Sequence, residues 1–341
     1  MSNALARLTC VVATVFVSTI VTMGCNSSAV KDAIDVIEGV PRKTINTDIL
    51  GVNAFGNDGR FGSPEQQYSE VQSVIRLNSI RILANWDSLA QPQKDAPIFF
   101  GFLDTLIAAI PDGVDALIVL TGTPEWMSDS ANWTDGDPRK TFIQEWLRPI
   151  VRRYRGNTKI IGFQVWNEPN QDNQSNRNLG LVSSPTLYVD MLRQASEVIR
   201  QLAPTKLVVT AATTAINQNF PLSINYNREM RDAGIEQYAD IWAIHYYGKQ
   251  YENLVRPGGV QDFVSGLALP VWVTESGAKG VNKQLAYGEE VWHYLVEKMP
   301  SIQRIYVYQY TEATPPEETY GLRNLSTDAP VSDLYVWLRD R

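Results

Sequence analysis

Ile160-Ile161-Gly162-Phe163-Gln164-Val165-Trp166-Asn167-Glu168-Pro169-Asn170 decides how the rest of the chain is read. Its apolar head has the make-up of a buried strand, and that strand stops on an Asn–Glu pair. Pro169 has no N–H to give to a ladder, so the strand is predicted to end at Glu168. A carboxylate is thereby held at the C-terminal end of a strand, where the working groups of barrels sit. A polar turn after a core strand would also use Asn and Pro. A second stretch, Val271-Trp272-Val273-Thr274-Glu275-Ser276-Gly277, repeats the arrangement, and the two together outweigh that plainer reading.

Outward from these two, short apolar runs alternate with amphipathic segments from Ile45 onward. Strands are predicted at Ile49–Phe55, Ser79–Trp86, Asp115–Thr121, the quoted run, Leu207–Ala212, Ile241–Tyr247, Leu269–Glu275 and Gln303–Tyr310. Asp115–Thr121 is almost unbroken apolar, as suits a strand covered on both faces. Ser63-Pro64-Glu65-Gln66 opens a helix with Ser as N-cap, Pro at the first helical position and Gln three residues on; Val71, Val74, Ile75 and Leu77 share its face. Further helices are expected near Ile98–Ile110, through Phe142, Trp146, Leu147, Ile150 and Tyr154, from Ser184-Pro185 to Leu202, and over Val331–Leu338. This pattern predicts one (β/α)8 TIM barrel over residues 45–341. A doubly wound sheet would carry G-x-G-x-x-G after its first strand, and Gly51, Gly56, Gly59 and Gly62 lack that spacing.

The 341 residues are 44% hydrophobic and 20% charged, an ordinary globular mixture able to bury a large core. A net charge of −7 leaves no basic face for phosphates, which argues against nucleic acid. Nine Trp and fifteen Tyr lean slightly toward flat sugar-binding surfaces. Residues 1–24 read as a secretory signal: Arg7 is the sole charge, and Leu8–Met23 is apolar but short and Thr/Ser-studded for a membrane span. Gly24-Cys25-Asn26-Ser27-Ser28 resembles the lipoprotein signals of bacteria, with Thr22 where those usually place Leu. That resemblance implies lipid attachment at Cys25, and the only other cysteine, Cys10, lies inside the signal. Residues 25–44 then form a tether, and the chain is expected to be exported and anchored at the bacterial envelope. Plain secretion, with Cys25 a bystander, is the alternative.

In a barrel the C-terminal strand ends meet on one face, so Glu168 and Glu275 should lie across its mouth from each other. Two carboxylates about 5 Å apart suit retaining hydrolysis of a glycosidic bond. One must be ionised to attack the anomeric carbon; the other must be protonated to serve the leaving oxygen. Charge on the first helps raise the pKa of the second, which separates the roles. A metal centre finds little support, because His245 and His293 are the only histidines and no H-x-H or H-E-x-x-H occurs. No G-x-S-x-G elbow is present, and no cofactor is implied. Glu125 and Glu312 are rival carboxylates near strand ends, without the neighbours of the two motifs.

These residues resemble the motifs of clan A glycoside hydrolases, retaining enzymes on (β/α)8 barrels. Trp166-Asn167-Glu168-Pro169 is similar to their strand-four motif, which implies Glu168 as acid/base and Asn167 at the sugar 2-hydroxyl. Val273-Thr274-Glu275-Ser276-Gly277 is similar to their strand-seven motif, which implies Glu275 as nucleophile. Arg81, in Ile80-Arg81-Ile82, matches the strand-two Arg near the nucleophile, although it could instead be an ion-pair partner for Asp87. His245-Tyr246-Tyr247 is similar to the strand-six His-x-Tyr, whose Tyr bonds the nucleophile. Within the clan, the Thr123-Pro124-Glu125-Trp126 loop and Trp166 to Asn170 look most like family 39, with family 5 as a neighbour. Strand eight departs from the pattern, offering Tyr306, Tyr308 and Tyr310 where many members place a Trp; Tyr308 is the candidate sugar contact. Trp126 and Trp86 are either sugar platforms or rim packing.

The resemblance implies a retaining β-glycoside hydrolase, expected to be endo-acting on an envelope or environmental polysaccharide. An exo-acting β-xylosidase-like enzyme uses the same chemistry. A non-catalytic carbohydrate-binding lipoprotein on a barrel is the reading from another class, and it would not need both Glu motifs. Oligomeric state leaves no mark in the sequence.

Overall fold

Ile, Val and Leu crowd β2 (Ser79–Asn85), β3 (Asp115–Thr121) and β4 (Ile160–Val165), and these strands pair in parallel. The computed structural model describes residues 40–341; the expected signal, Cys25 and the tether up to residue 39 lie outside the described residues. Around the central strands lie β1 (Leu50–Asn53), β5 (Leu207–Val209), β6 (Trp242–Tyr247), β7 (Val271–Gly277) and β8 (Ile302–Val307). Their order is β5-β4-β3-β2-β1-β8-β7-β6, parallel throughout. One parallel bridge, Val209 to Ile241, closes β5 onto β6, with Thr210 N–H donating to the Ile241 carbonyl at 3.1 Å. The architecture is a single (β/α)8 barrel.

Period-two alternation sorts each strand. On β2, Ile80 and Ile82 face outward into the apolar layer between strands and helices, while Ser79 and Arg81 face inward. A second apolar cluster, built on Leu117, Val209, Ala243, Trp272 and Tyr306, fills the interior of the barrel. Tyr306 fits because its neighbour is Gly51, where a Cβ would come within 2.7 Å of the ring.

The helix Pro64–Ser73 starts on the box its sequence predicts. Ser63 N–H donates to Gln66 Oε1 at 2.9 Å, and Gln66 N–H donates to Ser63 Oγ at 3.3 Å. Helices also form at Gly101–Ala109, Pro185–Leu202 and Asp333–Asp340. The Phe142–Tyr154 stripe runs as Pro138–Phe142, a π-helical stretch Ile143–Leu147, and Arg148–Tyr154. Further helices, not among those expected from sequence, are Leu222–Asp232, Tyr251–Val255, Val260–Ser265 and the run from Gln284 to Lys298, whose buried face is Tyr287, Val291, Trp292 and Leu295.

Several strands end earlier than their sequences suggest. β4 stops at Val165, not Glu168, because Trp166 (φ 77°) and Glu168 (φ 45°) turn into the left-handed region and leave the ladder. β5 stops at Val209, where β6 gives it only the one bridge. β8 stops at Val307, before a cis peptide between Tyr308 and Gln309; Tyr310 N–H then returns to the Asn53 carbonyl at 2.9 Å. Residues 40–44, at the end of the expected tether, already lie against the body: Lys43 N–H donates to the Glu289 carbonyl and Arg42 pairs with Glu290 at 3.1 Å. Among the described residues no helix is long and apolar enough to cross a membrane.

Candidate active site

The loop leaving β4 is pinned before it presents its carboxylate. Trp166 N–H donates to the Leu120 carbonyl at 2.8 Å, and Glu168 N–H donates to the Ala212 carbonyl at 2.9 Å. The Trp166 indole is buried edge-on against Phe142 and donates to Asn176 Oδ1 at 2.6 Å. Asn176 in turn donates to the carbonyls of Glu168 (2.8 Å) and Gln171 (2.6 Å). Two non-glycine residues in left-handed backbone cost of order 1–3 kcal/mol each, and this web of bonds holds them there.

Glu275 comes from within β7 and is 7% exposed. A buried carboxylate needs compensation, and three partners supply it. Arg81 Nη1–H donates to Oε1 at 2.7 Å, Tyr247 O–H donates to Oε2 at 2.8 Å, and His245 Nε2 stands 3.4 Å from Oε1. Burial alone would raise the Glu275 carboxyl, but the electrostatic pull of His245 and Arg81, with the bonds from Tyr247 and Arg81, more than offsets it. The group is held below its ordinary 4.5. Tyr247 moves the other way: burial, then the Glu275 charge, push its phenol well above 10.0.

Arg81 is fully buried and organises the floor. Besides Glu275 it donates to Gln164 Oε1 (2.8 Å), Asn53 Oδ1 (2.6 Å) and Asn167 Oδ1 (2.7 Å). Asp87 is not its partner; that carboxylate accepts the Leu89 and Ala90 amides and the Asn85 side chain. Because Asn167 accepts through its oxygen, its NH2 is left to act as a donor. His245 spans the two carboxylates, with Nδ1 3.0 Å from Glu168 Oε1. One atom each of Glu168, His245 and Glu275 fall within 4.8 Å of one another. Both Glu275 oxygens are already engaged, Oε1 by the Arg81 guanidinium and Oε2 by the Tyr247 hydroxyl, which leaves that trio poorly suited to a cation.

Tyr308 stands over this floor, edge-on to Phe55, Tyr247 and Tyr320 with centroids 5.7–6.1 Å apart. Tyr320 also meets Tyr247 at 5.4 Å, so three tyrosines wall one side of Glu275. The other strand-eight tyrosines are elsewhere: Tyr306 fills the barrel interior and Tyr310 joins the sheet–helix core. Trp86 is fully buried and is core, not a sugar platform. Trp126 is half-buried, edge-on to Trp86 at 5.3 Å, with its N–H on the Gln91 carbonyl; these contacts tie it to the loop after β2 and not to the carboxylates. Glu125 is exposed, and Glu312 is occupied by the Thr319 hydroxyl and the Tyr320 amide.

The structure thus gathers Arg81, Asn167, Glu168, His245, Tyr247, Glu275 and Tyr308 into one connected cluster and leaves Trp126 outside it. Asn53, Gln164 and Tyr320 belong to the cluster and were not evident from sequence. Asn53 and Gln164 did leave a trace, as single amides inside otherwise apolar strands. Tyr320 left none, since it lies in the irregular segment beyond β8.

The sequence model for the family "Cellulase (glycosyl hydrolase family 5)" matches residues 43–308 of the chain. No curated protein sequence matches it. Among solved structures, the endo-1,4-β-mannanase of Rhizomucor miehei aligns over 89% of this chain and 99% of its own, at 16% identity and a TM-score of 0.59. The catalytic domain of the major endoglucanase of Xanthomonas campestris pv. campestris aligns over 85% and 94%, at 16% identity and 0.57. A β-galactosidase from the Antarctic haloarchaeon Halorubrum lacusprofundi aligns over 85% of this chain but 57% of its own, at 15% identity and 0.57; this chain spans little more than half of that protein. At such identities the likeness speaks for the fold. The family match falls on family 5, the neighbour in the motif comparison, and family 39 is not shown.

Proposed function

The chain belongs to glycosyl hydrolase family 5, hence to the clan A glycosidases, and from that premise we propose that it cleaves β-glycosidic bonds with retention at the anomeric carbon. The observation that carries this reading is the closeness of the two carboxylates, oxygen to oxygen within 4.8 Å. Retaining sites hold their carboxyl groups about 5–5.5 Å apart, whereas inverting ones leave about 6.5–9.5 Å for a water.

In the first step a Glu275 oxygen bonds to the anomeric carbon as the bond to the leaving oxygen breaks, and Glu168 passes its proton to that oxygen. Glu168, now a carboxylate, takes a proton from water. The water oxygen bonds to the anomeric carbon, the ester to Glu275 breaks, and the proton is back on Glu168. Two inversions give net retention. Arg81 and Tyr247 keep Glu275 charged and aimed; His245 orients both carboxylates; the Asn167 NH2 faces the 2-hydroxyl; Tyr308 packs beside the ring.

The finer parts of the proposal concern substrate and place. Lipid attachment at Cys25, with residues 26–39 as tether, would hold the barrel at the envelope, where an endo-acting enzyme meets polymer. The family 39 likeness of the Thr123–Trp126 loop bears on which sugar is taken. The test is reducing-end release from a panel of plant and bacterial polysaccharides, with product size and anomeric configuration read by NMR. Glu275→Gln should lose roughly 10⁴-fold or more in kcat while still binding the polymer. Oligosaccharides of retained configuration support the reading, monosaccharide alone would turn it to exo action, and inverted product would sink the assigned roles. Loss of membrane association in Cys25→Ser tests the anchor.

A further inference from the structure

A cavity of about 820 Å³ opens at the ends of β6 and β7. Its charged lining is Arg42, Lys249, Lys279, Lys283 and a single acid, Glu290. Four cations to one carboxylate is unexpected in a chain of net charge −7. Glu290 is already shared between Arg42 and Lys249. Lys279 and Lys283 are exposed, and no carboxylate of the described residues lies within ion-pairing reach of either. The Lys279 ammonium stands 5.7 Å from the centre of the Tyr320 ring.

Tyr320 joins the wall of the cavity to the wall of the site. One ring lines the cavity and also packs against Tyr247 and Tyr308, the tyrosines beside Glu275. Gly277, two residues beyond Glu275, lines it as well. A glycan seated on the carboxylates therefore has a path over Tyr320 toward two ammonium groups with no carboxylate partner among the described residues. We propose that this cavity is a subsite for a sugar residue bearing an anionic group, a uronate carboxylate or a sulfate ester, so that the preferred substrate is an acidic glycan. The inference rests on the glycosidase reading of the neighbouring carboxylates. The overall negative charge sharpens it, because the rest of the surface repels such polymers and only a local basic site can reverse that.

The test is binding of Glu275→Gln protein, by affinity electrophoresis, to glucuronate-bearing xylan and to a sulfated galactan, each beside its carboxyl-reduced or desulfated counterpart. The charged member of at least one pair should bind at least tenfold more tightly at low salt. Near 1 M salt, where screening acts within about 3 Å, the preference should vanish. It should also vanish in Lys279→Ala/Lys283→Ala and survive in Lys279→Arg/Lys283→Arg, both on the Glu275→Gln background and with unchanged thermal melts. Equal binding within both pairs, or a preference that outlasts the alanines, overturns the proposal. Wild-type turnover is read separately. Sugar release with charge-blind binding removes the subsite and leaves the hydrolase; lysine-dependent binding with no release from any glycan does the reverse.

Discussion

Arg81 engages four acceptors, and no other side chain can replace it. Arg81→Ala leaves Glu275 buried without its guanidinium partner, and breaking such a pair typically costs about 3–5 kcal/mol. Arg81→Lys should recover little, since one ammonium cannot reach Gln164, Asn53, Glu275 and Asn167 at once. Urea unfolding of both variants checks this. Tyr247→Phe removes one donor from the Glu275 carboxylate, and a bond to a charged group is worth about 1.5–3 kcal/mol. The acid limb of kcat/KM should lie below 4.5 in the wild type and move upward in Tyr247→Phe, with a roughly tenfold or greater loss of kcat/KM. An unmoved limb would detach Tyr247 from the ionisation of Glu275. At this scale the charged members of the site, with Tyr247 and Tyr308, were legible, because Arg, His and Glu are anomalies within apolar strands and the two tyrosines stand at strand ends; Tyr320, in irregular chain, was not. Asn53 and Gln164 carry no charge, so their trace, a single amide in an apolar strand, is fainter than that of Arg81, His245 or Glu275. Trp126 shows the opposite failing: an aromatic near a strand end is as readily a packing residue as a sugar platform.

The strands that crowd Ile, Val and Leu were readable almost to the residue, as β3 shows. Strand ends facing the site were not, because the backbone there is bent to aim side chains and not to continue a ladder. The loop after β4 is the plainest case, and Asn176 is what fixes it. Asn176→Ala removes three bonds from the segment carrying Glu168. Since small displacements of a reacting group are costly, kcat should fall roughly tenfold or more while KM changes little, as measured on any hydrolysed glycan. Short helices such as Tyr251–Val255 were illegible because so few turns give no periodicity to detect. The seam between β5 and β6 is the thinnest of the eight, and Asp240 supports it by accepting Val208 N–H at 2.8 Å and Arg200 at 3.0 Å. Asp240→Ala should cost about 1–2 kcal/mol. Amide exchange should accelerate at Val208 and Thr210 while that of β2 and β3 stays slow.

For the molecule as a whole, the depressed Glu275 pKa links folding to pH. Its stabilisation is fully present above the unfolded value near 4.5 and is lost as pH falls through the lower folded value. Thermal melts should therefore hold level down to about pH 5 and fall below it, and Glu275→Gln should flatten that fall. The order of strands is the one the alternating pattern implies, and it places the partners of Arg81 on different parts of the chain: Asn53 from β1, Gln164 from β4, Asn167 just after it, and Glu275 from β7. Arg81 itself is fixed early, on β2. A nascent chain that has emerged only through β4 holds the cation without its anion, and no half of the barrel can satisfy it alone. Truncated or stalled copies thus carry an intrinsic penalty that the finished copy does not. In a refolding experiment, the return of activity should coincide with joining of the first and last strands, so that competence to act and completion of the chain are a single event.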